Sequence, residues 1–217
     1  MKGGFSMRSL RRPPRENLGW ILLVIAVDMF AYYGTIFLNR GAVYHSVELP
    51  LDAMIPFVPA MMLVYVLAFV QWLLCVGMLA WEPRDRCRYF ALATVIAELL
   101  CAACFLIYPT VMANRPVPEG SDLFSRLTAF IFAADDPSRN LFPSLHCVFS
   151  WICLRITLAS PRVSKPLRAV NAVFTLLVFC SVVLVKQHVV IDIPAGLLTA
   201  ELSLWLARLC LRGKRTQ

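Results

Sequence analysis

Six apolar stretches, at 19–38, 55–80, 89–108, 143–159, 167–185 and 189–211, dominate this chain of 217 residues. A helix needs about 20 apolar residues to cross a hydrocarbon core roughly 30 Å thick, and each stretch is near that length. Backbone polar groups in lipid find no water, so such segments fold as helices that satisfy their own N–H and C=O groups. The expected fold class is an all-α integral membrane protein with six transmembrane helices. The helices form one domain over 19–211, between a basic tail at 1–18 and another at 212–217. A hydrophobic content of 59% and a mean hydropathy of +0.70 exclude a soluble domain whose surface must be wetted.

The charges give the expected orientation. Of the 21 Lys and Arg residues, only Arg40, Arg115, Arg126, Arg139 and Lys186 fall in the loops at 39–54 and 109–142 and at the 186–188 hinge. The other 16 lie in the two tails, in the turns at 81–88 and 155–168, and, for Arg208, at the end of the last stretch beside the second tail. The positive-inside rule then places both termini in the cytoplasm and the lightly charged loops outside. The net charge of +8 reads as a topology signal, and no nucleic-acid partner is expected. Because no small-x-small cleavage site precedes Tyr32-Tyr33, the first stretch reads as a retained span. The short tails and compact loops point to a bacterial plasma membrane.

None of the eight cysteines falls in the outer loops, so no disulfide framework is expected there. Cys101 and Cys104 form a C-x-x-C within the third span, read as small residues packing between helices. The long 109–142 loop contains an apolar segment around 123–133 that reads as a short interfacial helix.

Two of the three histidines sit at the outer mouths of predicted spans. His146 lies in Pro143-Ser144-Leu145-His146; His188 follows Lys186-Gln187 and precedes Asp192 by four residues. On a helix His188 and Asp192 would share a face, and the carboxylate would take a proton from one imidazole nitrogen. The other nitrogen would be left free as a nucleophile. Pro143 and Ser144 read as a helix N-terminus, where unpaired N–H groups receive phosphate, with the Ser144 hydroxyl as a further donor. Arg115 and Lys186 bring positive charge for phosphoryl oxygens, and His146 is placed to protonate a leaving oxygen. Each signal alone is modest, but all converge on one face.

These residues carry a resemblance. The sequence resembles the phosphatidic acid phosphatase type 2 superfamily, whose three motifs correspond here to Tyr108 through Arg115-Pro116, to Pro143-Ser144-Leu145-His146, and to Ser181 through His188 and Asp192. The resemblance implies that His188 becomes a phosphohistidine, Asp192 orients it, His146 is the general acid, and Arg115 with Ser144 holds phosphate. It implies no cofactor and no metal. Its implied partners are the lipid bilayer and a membrane lipid phosphate such as phosphatidate, phosphatidylglycerophosphate or polyprenyl diphosphate. Tyr108, which the motif register puts among the phosphate-binding residues, stands where the first motif usually opens with Lys, Leu145 where the second usually has Gly, and Val182 where the third usually has Arg. Lys186 and Arg139 are the cations expected to stand in. Lys186-Gln187-His188 and Ile55-Pro56-Phe57 resemble the branch related to inositol phosphorylceramide synthase, which keeps head-group transfer as an alternative to hydrolysis.

Asp28, Glu98 and Glu201 fall near the middles of spans, where an ionised carboxylate costs on the order of 3 kcal/mol. They are expected to be protonated, paired with groups on neighbouring helices, or exposed to a wet cavity. A non-catalytic transporter or scaffold built on these acids is the reading from a different class. It would show pseudo-symmetric halves, and none is visible.

Overall fold

The computed structural model describes residues 13–135 and 138–212. The remainder of the two predicted basic tails, at 1–12 and 213–217, lies outside the described residues. Helix α1 (Arg15–Met29) runs through a π-helical turn, Phe30–Gly34, into α2 (Thr35–Leu38). A short α3 (Pro50–Met54) and a 3-10 turn (Pro59–Met61) lead into α4 (Met62–Ala80) and α5 (Arg84–Ile107). Then come α6 (Leu123–Ala134), α7 (Leu145–Ala159), α8 (Lys165–Leu184) and α9 (Asp192–Arg212). Among the described residues no strand forms, and the β pairings are the isolated bridges His45 to Thr110 and Val111 to Arg139.

Five helical segments are long and apolar enough to cross a membrane: Arg15–Leu38, Pro59–Ala80, Arg84–Ile107, Lys165–Leu184 and Asp192–Arg212. The chain is thus built as a multi-pass membrane protein. The fourth expected span differs, because α7 has 15 residues and rises only about 22 Å. It lies at the centre of the bundle, against α4, α5, α8 and α9. Leu145, Val148, Ile152 and Ile156 recur at helical spacing and pack into a core shared with α1, α5 and α9. Cys147 joins a second core with α4, α6 and α8. By contrast, α8 turns Val170, Val173, Leu176 and Leu177 outward, as a lipid-facing helix does.

Other boundaries move for local reasons. Pro56 and Pro59 interrupt the second apolar stretch, so the regular α-helix there begins at Met62. At the N-terminus α1 begins at Arg15, inside the predicted tail. There the Asn17 amide donates to the carbonyls of Ala80 and Glu82, at 3.0 and 2.9 Å. The expected loop helix forms as α6, capped by Asp122, whose carboxyl is held below the usual carboxylate range by hydrogen bonds from Ser125.

Polar staples close each end of the bundle. At one end Glu82 accepts from Arg86 and Ser160, joining the turns at 81–83 and 160–164. At the other, His45 pairs with Pro109 and Val111 while Thr110 binds Asn140, Leu141 and Phe142. Those bonds gather the 39–49, 108–122 and 138–144 segments over the mouth where α8 hands over to α9.

One glycine sets the approach of α7 to α9. A Cβ on Gly196 would lie 2.8 Å from Cys147 Cβ and 3.1 Å from the Ser144 carbonyl. Gly196→Ala is expected to cost about 1–3 kcal/mol by overpacking, seen as earlier thermal unfolding in detergent.

Candidate active site

The turn from α8 to α9 carries the centre of the site. Lys186 adopts a left-handed backbone, φ 54°, and the N–H groups of Gln187 and His188 both reach back to the Val182 carbonyl. His188 therefore sits in the turn and not on a helix with Asp192, as the spacing alone predicted. Asp192 opens α9, and its Oδ2 accepts from the Val189 N–H at 3.1 Å and meets His188 Nδ1 at 3.0 Å. The contact expected from the spacing is present, but the helix-capping role of Asp192 produces it. Asp192 is fully buried and His188 nearly so. With Nδ1–H donated to the carboxylate, Nε2 carries the free lone pair.

His188 lines a cavity of about 670 Å³ together with Arg115 and Lys186. The Lys186 ammonium donates to the Asp52 carbonyl at 2.7 Å, which leaves two of its three N–H groups for a ligand. Arg115 is more heavily engaged. Its Nη2 bonds Gln187 Oε1 at 2.6 Å and Asp135 Oδ2 at 3.1 Å, and Nη1 donates to the carbonyls of Phe132 and Asp135. The guanidinium also stacks on the Phe132 ring, 4.1 Å from its centroid. Its Nε is buried without a partner among the described residues, so an anion in the cavity would have to compete with Asp135 and Gln187 for the guanidinium.

His146 lies in the first turn of α7, with its ring 5.9 Å from that of His188. It stacks on Tyr65 at 4.0 Å and meets Trp72 and Phe69 edge-on at 4.8 and 5.3 Å. Its Nε2 is buried and has no hydrogen-bond partner among the described residues. Ser144 is the N-cap of α7, its hydroxyl oxygen accepting from Cys147 N–H at 3.4 Å. The oxygen is therefore used within the helix, and the O–H hydrogen remains to donate.

Of the predicted residues, Asp192, His146, Ser144, Tyr108 and Arg139 are not among those that line this cavity. Tyr108 stacks on His45 at 4.5 Å and is half-exposed. Arg139 lies over the Tyr44 ring at 5.4 Å, its Nε buried without a partner among the described residues. Three further residues hold the site together, and two of them carried no local signal. Asp52 Oδ1 accepts from Val190 N–H and its Oδ2 from Leu49 N–H, both at 2.7 Å, which clamps α3 to the α8–α9 turn. Asp135 receives Tyr32 Oη at 2.9 Å in addition to Arg115. Gln187 bridges Arg115 and Ser138. Only Asp52 had a hint in the sequence, since an acid two residues after a proline at a helix start caps its own helix.

The chain-wide comparison fits this geometry. The family model described as the PAP2 superfamily matches residues 41–206, which include every residue of the cavity and both histidines of the site. The chain belongs to the PAP2 superfamily. The PAP2 match begins after Leu38, so the first candidate span lies outside it. No curated protein matches the chain. Membership of the PAP2 superfamily points to phosphatase-type chemistry.

Proposed function

We propose that this protein is a metal-independent lipid phosphate phosphatase acting by a phosphohistidine intermediate at the extracytoplasmic face. The observation that carries the proposal is the His188–Asp192 pair at 3.0 Å, opening on a cavity that Arg115 and Lys186 also line. In the first step His188 Nε2 attacks phosphorus and the bond to the leaving alkoxide breaks. His146 supplies that oxygen with a proton, and Asp192 stabilises the charge that develops on the His188 ring. Arg115 and Lys186, with the Ser144 hydroxyl, serve the phosphoryl oxygens. In the second step water, deprotonated by His146, attacks the phosphohistidine and releases phosphate. The acyl chains stay in the bilayer beside the helices while the head group meets the helix ends. Phosphatidate, phosphatidylglycerophosphate and polyprenyl diphosphate are the substrates to try.

A second reading rests on size. A cavity of about 670 Å³ has room beyond a phosphoryl group, and Glu48 and Asp52 on its wall offer acceptors to a hydroxylated head group. The same intermediate would then pass its group to an alcohol, and turnover would require that acceptor.

The test is inorganic phosphate release from a panel of lipid phosphates by the purified protein in detergent with excess EDTA. Release unaffected by EDTA is expected. Loss of release, restored by a divalent ion, would overturn the metal-free mechanism. The rate should also follow a bell in pH, because His188 must be neutral to attack while His146 must be protonated to donate. A profile flat from about pH 5 to about pH 9 would contradict those two roles.

A further inference from the structure

A second cavity lies inside the bundle, between α1, α4, α5 and α7, and nothing in the phosphate chemistry uses it. Its volume is about 120 Å³. Its walls are apolar except for a few groups, chiefly the carboxyls of Asp28 and Glu98, and among the described residues no Lys, Arg or His lines it. Glu98 is fully buried, and neither of its oxygens has a hydrogen-bond partner among the described residues. This sets it apart from the other buried acids. Asp52 is bonded by two backbone N–H groups, Glu82 by Arg86 and Ser160, and Asp192 by His188. Even the partly exposed Glu201 is held by Arg155 and Trp151. A buried carboxyl without a partner is costly, so the missing donor has to come from an occupant of the cavity.

The chemistry of the walls selects that occupant. A hard metal cation wants six or more oxygen ligands, and two carboxyls among aliphatic side chains supply too few. A hydroxyl offers one donor for four carboxyl oxygens, whereas a primary ammonium offers three and a charge that both acids favour. The Trp72 ring, which also lines the cavity, adds an aromatic wall suited to a cation. Ile25 lines the cavity and is 48% exposed on α1, so the mouth opens toward lipid. We propose that this cavity is a binding site for a long-chain primary amine, with its ammonium on Asp28 and Glu98 and its chain running out into the bilayer. The site touches the phosphate chemistry only through Trp72, whose ring packs on His146, so its occupancy is measurable without any assay of activity.

The experiment is native mass spectrometry of the full-length protein in neutral detergent with dodecylamine, dodecanol or dodecanoate, alongside Glu98→Gln and Asp28→Asn. Wild type should retain one dodecylamine and neither of the other two. Each variant should lose it while unfolding at the same temperature as wild type. Asp28 is only partly buried, so Asp28→Asn remains informative if Glu98→Gln fails to fold. Absence of an amine complex, equal retention of dodecanol, or retention of the amine by either folded variant would overturn the proposal. The cavity would then hold water, of which about four molecules fit in that volume, or an acyl chain.

Discussion

Turnover falls by on the order of 10⁴-fold or more in His188→Ala, at every lipid phosphate that the wild type hydrolyses. The size follows from the role. Without the imidazole no covalent intermediate forms, and water would have to attack a phosphate anion directly in a pocket arranged for another nucleophile. His188→Ala removes a ring that contacts Asp192 and lines a cavity, so the helices around it have little reason to rearrange. Equal thermal unfolding of the two proteins, with phosphate release as the assay, separates lost chemistry from lost structure. A variant that releases phosphate as fast as wild type would mean that His188 is not the nucleophile.

Arg115→Ala is expected to lower kcat/KM by about 10²–10³, and Arg115→Lys to recover little of it. Arg115 is held in a fork by Asp135 and Gln187, with its plane on Phe132. A lysine keeps the charge but can neither fill that fork nor stack, so its ammonium would not be presented to the phosphate in the same place. Steady-state kinetics on one lipid phosphate, read separately as kcat and KM, provide the check. Recovery of most of the activity by lysine would mean that charge alone matters at this position.

Much of the bundle was legible in the sequence because apolar runs of membrane-crossing length have one stable outcome. The run at 143–159 was read as an equal span, yet α7 is shorter and more deeply buried than its neighbours. Nothing in a hydropathy profile separates a helix surrounded by protein from one surrounded by lipid. Proline positions were readable in principle: Pro56 and Pro59 mark where the second stretch stops being helical.

The candidate site was legible as a cluster where chemistry and motif coincide. His188, Asp192, Lys186 and Arg115 converge, although the His188–Asp192 contact arises from a turn and a cap, which the i, i+4 spacing mimics. Asp135, Asp52 and Gln187 were missed as structural partners because each acts across tens of residues of chain, through bonds that local patterns do not encode. Tyr108 shows the converse. Motif register placed it in the phosphate pocket, whereas its ring is stacked on His45 away from the cavity lining.

The stereochemical course at phosphorus tests the central claim most directly. The lipid phosphate turned over fastest would be prepared as a thiophosphate, made chiral with heavy oxygen isotopes and hydrolysed in isotopically labelled water. Two in-line displacements, first by His188 and then by water, predict retention of configuration in the product. Inversion would mean a single direct attack by water, and would contradict a phosphohistidine on this chain.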